Sequence, residues 1–330
     1  MRFISTAFLA TTILMSNATL ANADLKVIAS IKPVHSLVTA VMEGVGKPEL
    51  LVEGAGSPHT YSLKPSQANK LQKADIVFWM SHDLEAFLEN SIESIAKNAK
   101  AVSLMDAHDL IKLNFREGGA FDAHGHDDHK DHGHKDHDEH GHDDHKDHDH
   151  KDHDDHGHHG TDPHVWLDPV NAKAMIHEIE AALIEADPAN ASAYEANAKA
   201  MMSKLDNLVA EIDAELQPVK GRGYVVFHDA YQYFENRFGV SAVGSITVSP
   251  EVLPGAERVA ELREKVRDLD ATCVFSEPQF QPKLVKTITK NTNAGTGVLD
   301  PLGASIDDGA ELYFTLIRNM AASLKKCLLK

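Results

Sequence analysis

The sequence predicts an α/β protein of two lobes, each a mainly parallel sheet flanked by helices, joined by one long linker helix. Three observations carry this expectation. Short apolar runs alternate with helical stretches from Lys26 to Leu104, the same alternation restarts after Pro218, and one helical pattern runs between them from Ala191 to Leu216. A length of 330 residues accommodates two domains of ordinary size, and the 42% apolar content can supply a core for each.

In chain order, residues 27–31 form the first expected strand, and Pro33 suits the first turn of a helix running to about residue 43. Strands follow at 50–52, 76–80 and 101–104, with a helix near 84–97 between the last two. A helix over 170–186 ends at Asp187-Pro188, and the long helix over 191–216 ends at Gln217-Pro218. Leu205, Leu208, Val209, Ile212 and Leu216 keep three-and-four spacing, so that helix buries one stripe. The second lobe reads as strand 224–227, helix 231–238, strand 240–248, helix 256–269, strand 272–275, helix 283–289, strand 297–299 and a last helix over 308–326. The expected organisation is a leader over 1–23, a first lobe over 24–190, a linker helix over 191–218 and a second lobe over 219–330.

The leader is expected from Arg2, a mostly apolar stretch from Phe3 to Leu14, and the small residues Ala21 and Ala23 around Asn22. Cleavage after Ala23 makes Asp24 the new N-terminus. The apolar run is too short to span a bilayer, which takes about 20 apolar residues. The expected location is therefore an extracytoplasmic compartment. There, Cys273 and Cys327 are expected to bridge, with two unrelated buried thiols as the alternative.

A net charge of -18 argues against nucleic acid or anionic lipid as partner and fits a protein that attracts cations. The charge is concentrated. Residues 122–159 carry four lysines against fourteen aspartates and glutamates, and fifteen of the 22 histidines. Within this insert (122–160) an eight-residue unit recurs from Gly125, Gly133, Gly141 and Asp149, with histidine at its second, fifth and eighth places. These are His126, His129 and His132; His134, His137 and His140; His142, His145 and His148; and His150, His153 and His156. Repeats with no apolar side chain cannot offset their ordering entropy by burial, so disorder is expected without metal. Neutral imidazoles beside carboxylates suit borderline divalent cations, so the tract is an auxiliary metal-binding loop that holds many ions loosely.

Among the other histidines, His59 lies in the turn-rich stretch 54–61, His164 lies between Pro163 and Asp168-Pro169, and His228 directly follows a strand. Asp300 directly follows the expected strand 297–299, in Leu299-Asp300-Pro301-Leu302-Gly303. In open α/β sheets, ligands bind beyond the carboxyl ends of the strands. Taken singly, each of these histidines reads more readily as a surface or structurally satisfied residue, and His35, His82, His108 and His177 are assigned that role, with a supporting place near the cleft left open for His35.

Four segments occur in the same order in the metal-binding solute receptors of ABC importers. They are Ser57-Pro58-His59-Thr60-Tyr61-Ser62-Leu63-Lys64-Pro65-Ser66-Gln67, Asp162-Pro163-His164-Val165-Trp166-Leu167-Asp168-Pro169, Val226-Phe227-His228-Asp229-Ala230-Tyr231-Gln232-Tyr233-Phe234, and Leu299-Asp300-Pro301-Leu302-Gly303. The chain from residue 24 onward resembles that family, and most of all its zinc-binding branch. The resemblance implies two lobes about a rigid helix with the ion in the cleft between them. His59, His164 and His228 match the family's histidine ligands, and Asp300 matches a carboxylate ligand. Manganese receptors of the family carry a carboxylate where His228 stands, so three imidazoles imply Zn2+. Pro58 replaces a glutamate that some zinc members carry before the first ligand, which leaves the fourth ligand open among Asp300, water and a group of the insert. The two cysteines match a disulfide of zinc members. The implied setting is the periplasm, and the implied partner is an inner-membrane ABC permease with its cytoplasmic ATPase, served by a monomer. A zinc hydrolase is disfavoured, because no His-Glu-x-x-His motif is present. A periplasmic zinc buffer or a metal-binding adhesin remains the alternative.

Overall fold

The computed structural model describes residues 25–116, 121, 160–247, 256–269, 271–280 and 282–330. The expected leader and the histidine repeats lie outside the described residues.

The first lobe contains β1 (Val27–Ala29), α1 (Lys32–Val41), β2 (Glu49–Leu50), α2 (Pro65–Leu71), β3 (Ile76–Trp79), α3 (His82–Ile95) and β4 (Lys100–Ser103). The strands form one parallel sheet in the order β2-β1-β3-β4. Val27, Ile28, Ala29, Ile76, Val77 and Phe78 are all buried, as expected of strands covered on both faces. The helix α2 was not expected from the sequence. Pro65 opens it, and Gln67 bonds back to the backbone of Lys64 at 2.9 Å, but it buries only Gln67 and Leu71, too few positions for a periodic signal.

Two long helices follow, α4 (Pro169–Ala186) and α5 (Ala191–Leu216). The second lobe then repeats the pattern with β5 (Tyr224–His228), α6 (Gln232–Phe238), β6 (Ala242–Thr247), α7 (Ala256–Asp268), β7 (Cys273–Ser276), α8 (Pro282–Ile288), β8 (Gly295–Val298) and α9 (Leu312–Leu328). Its sheet is parallel in the order β6-β5-β7-β8, the same arrangement as the first. The last helix starts four residues later than expected, because the preceding segment turns through Gly309 at φ 144°, where a side chain would be strained.

One apolar core joins the lobes. The buried stripe of α5 (Tyr194, Ala198, Met201, Leu205, Leu208, Ile212 and Leu216) packs with Leu37 of α1 and with Tyr313 and Ile317 of α9. Hydrogen bonds reinforce the junction. Trp166 donates Nε1–H to the Pro301 carbonyl at 2.8 Å, Tyr313 donates its hydroxyl to the Trp166 carbonyl at 2.6 Å, and Lys32 pairs with Asp308 at 3.0 Å. The ends of the two sheets therefore face one another at a spacing set by shared packing. The Cys273–Cys327 disulfide ties β7 to the end of α9 within the second lobe.

Candidate metal centre

His59 stands in the loop between β2 and α2. His164 precedes a 3-10 turn at Val165–Leu167 that leads into α4, whose first turn is capped by Asp168 accepting from the Val170 N–H at 2.8 Å. His228 is the last residue of β5, not the first residue after it. In that sheet β5 lies between β6 and β7, so the chain reverses its winding between β5 and β7, the point where open sheets leave a crevice.

The three imidazoles meet. Their ring centroids are 5.4 Å apart for His59–His164, 5.8 Å for His59–His228 and 5.3 Å for His164–His228. One nitrogen of each ring lies within 4.8 Å of the other two. Tetrahedral zinc with bonds of about 2.0–2.1 Å holds its nitrogens about 3.3 Å apart, so a modest contraction closes the set on an ion. The cavity they line, with Trp166, Glu277, Gln279 and Phe280, measures about 10 Å³. That is room for roughly one water-sized body and far below the about 300 Å³ of an organic-ligand pocket.

Two carboxylates aim the rings. Asp162 Oδ1 accepts from His164 Nδ1 at 2.7 Å and from the His164 backbone N–H at 3.0 Å. Glu277 Oε1 accepts from His228 Nδ1 at 2.7 Å. With Nδ1–H donated away, each ring presents the lone pair of Nε2 to the cavity, the arrangement by which carboxylates fix the tautomer of zinc-binding histidines. His228 Nε2 is buried and has no hydrogen-bond partner among the described residues.

The surroundings tune the proton affinities. Burial, then the charges of His164 and His228, holds the His59 imidazolium well below its usual range. Burial also opposes the charged form of His228, but the carboxylate of Glu277 outweighs it and the net shift is upward. Burial pushes the Asp162 carboxyl up to about 7.

The structure does not bring Asp300 into this group. Its Oδ1 accepts from the N–H groups of Leu302 at 3.1 Å and Gly303 at 3.0 Å and from Gln279 Nε2 at 3.0 Å, while Oδ2 accepts from the Ala304 N–H at 2.6 Å. The carboxylate organises its own turn, which Gly303 completes at φ 72°. His82, His108 and His177 are exposed and pair with Glu89, Asp109 and Glu180. His35 is buried on α1, with Nε2 3.1 Å from the Pro48 carbonyl.

Sequence reasoning missed the supporting carboxylates. Asp162 stands two residues before His164 within a motif already singled out, so its position was available. Glu277 lies 49 residues from His228 and left no local pattern. A third support is an ion network. The Arg116 guanidinium donates to both oxygens of Asp229, beside His228, and to Glu235 Oε2 at 2.6 Å. The ring of Phe121 lies over this guanidinium at 4.1 Å. Asn114 pairs with Thr161 in an antiparallel bridge, so the segments on either side of the insert lie together beside the site.

No helix among the described residues is long and apolar enough to cross a membrane. A family model described as "ZnuA: Zinc-uptake complex component A periplasmic" matches residues 27–327. The high-affinity zinc uptake system protein ZnuA of Brucella suis is 53% identical over 336 residues, covering 99% of this chain and 98% of the relative. That of Yersinia pestis is 35% identical over 334 residues, covering 99% and 98%. Among solved structures, a crystal structure of ZnuA superposes with a TM-score of 0.69 at 24% identity, covering 92% of this chain and all of that one. FpvC of Pseudomonas aeruginosa in complex with Mn2+ does so with a TM-score of 0.72 at 18% identity, covering 93% and 99%. The structural likenesses establish the fold, the sequence relatives go further, and the chain belongs to the ZnuA family of periplasmic zinc-uptake components.

Proposed function

We propose that this chain captures Zn2+ between its lobes (24–190 and 219–330, joined by the helix over 191–218) and delivers it to an inner-membrane ABC permease driven by a cytoplasmic ATPase. His59, His164 and His228 are the ligands. The convergence of three nitrogens within 4.8 Å, two of them backed by buried carboxylates, carries this reading. Imidazole donors favour zinc over manganese, which prefers oxygen. Asp300 is left to its turn, and the fourth position goes to a small oxygen ligand. The role is binding and release, not catalysis. The chain acts in the periplasm as a monomer after cleavage behind Ala23, and the histidine repeats recruit or sense zinc in bulk.

Calorimetric titration of the mature protein with Zn2+ and Mn2+ tests the site, and growth of a deletion strain under chelation tests the delivery. One tight zinc equivalent and rescue only in the presence of the permease support the proposal. Tight binding with unchanged zinc uptake would instead indicate a buffer or an adhesin.

A further inference from the structure

One residue of the cavity lining carries a covered polar atom that three histidine ligands do not explain. Gln279 stands two residues after Glu277, beyond the end of β7, and lines the cavity beside all three imidazoles. Its Oε1 is covered from solvent and has no hydrogen-bond partner among the described residues. A buried acceptor left unmade is costly, and its presence points to a missing donor.

The orientation of that oxygen follows from its neighbour. Asp300 accepts three backbone N–H groups from its own turn, so it cannot swing away without leaving them unpaired. As a carboxylate it only accepts, so it must face the NH2 end of Gln279, at 3.0 Å. The carbonyl end of the amide is thereby turned away from Asp300. Asp300 fixes the amide, and Gln279, rather than Asp300, is among the residues that line the cavity.

Resting on the zinc reading above, we propose that Gln279 is a positioning residue whose Oε1 accepts a hydrogen bond from a water at the fourth coordination position of the bound ion. Zinc with three imidazoles keeps a fourth place for water, and a neutral amide oxygen is not among its usual ligands, so the contact runs through the water. The water donates one O–H hydrogen bond to Oε1 and its lone pair to the metal. This satisfies the orphan acceptor at the same moment as His228 Nε2. Gln279 thus contributes to affinity without touching the ion, as groups behind metal ligands do.

The test compares the protein with its Gln279→Leu variant by zinc titration, by melting of the metal-free form, and by azide titration of the cobalt(II)-loaded form followed through its visible spectrum. The leucine side chain has nearly the same volume as glutamine and no acceptor. The expected result is a loss of zinc affinity of about tenfold and tighter azide binding to cobalt, while the metal-free melting temperature changes little, because removal of the orphan acceptor offsets the lost bond to Asp300. A lower metal-free melting temperature with unchanged zinc affinity would reduce Gln279 to a prop for Asp300 and overturn the proposal. So would a zinc-loaded crystal structure with Asp300 or Gln279 Oε1 bonded directly to the ion. If the unaltered protein bound no zinc tightly, the zinc reading itself would have failed, an outcome distinct from either.

Discussion

His59 and His228 enter one cavity from opposite lobes, and their surroundings drive them in opposite directions. The loop carrying His59 leaves the residue half-buried beside two other imidazoles, and desolvation of the ring with their charges lowers its proton affinity well below the ordinary range. The strand end carrying His228 buries the ring as well, but Glu277 makes it more basic than usual. Burial alone keeps an imidazole neutral and ready for metal. A carboxylate behind it makes a stronger donor but invites proton competition. The site therefore combines a ligand that stays deprotonated with ligands that are tightly aimed.

The largest test of this contrast removes a ligand. Apparent free energies of about 10–16 kcal/mol for four-ligand structural zinc imply about 2.5–4 kcal/mol per ligand, so His59→Ala and His228→Ala should each weaken binding by roughly 10²–10³-fold in competition with a chelating dye. Retention of wild-type affinity in either variant would remove that residue from the site. Next comes the carboxylate. Glu277→Gln should cost about 10–100-fold at neutral pH, because the ring loses basicity and aim. The same change should displace the acid loss of binding to lower pH, because a less basic His228 is protonated later. An acid midpoint that stayed in place would show that Glu277 does not govern the ring.

Acidification of the unaltered protein is a gentler probe. A ligand whose proton affinity is raised is protonated first as pH falls, so zinc affinity should decline between about pH 7.5 and 5.5, led by His228 rather than His59. NMR titration of the metal-free imidazoles resolves the order, and a reversal would overturn the contrast. The smallest effect is expected from the histidine repeats. Deleting residues 122–159 should remove the weak equivalents and leave the single tight one within about threefold, because the folded ligands stand on packed elements outside that segment. Loss of the tight equivalent would transfer the site to the insert.

Much of this architecture was legible in the residues themselves. The β–α alternation announced both parallel sheets, and the apolar stripe of α5 gave its length because Pro188 and Pro218 bracket it. The three histidines were singled out through the four motif segments shared with the receptor family, because taken singly their loops and strand ends did not distinguish them. What remained hidden was long-range or competitive. Glu277 reaches His228 only through the pairing of β5 with β7. Asp300 stood at the right end of a strand, but its oxygens went to the N–H groups two to four residues ahead, a local competition that spacing does not reveal. Arg116 holds Asp229 across 113 residues, and nothing in its neighbourhood marked it.

The central claim is that one ion is held by rings from both lobes, and anomalous scattering at the zinc edge from crystals of zinc-loaded protein tests it most directly. The account predicts a single strong peak about 2.0–2.1 Å from the Nε2 atoms of His59, His164 and His228. A peak bonded to fewer than all three rings, or none in the cavity, would contradict it.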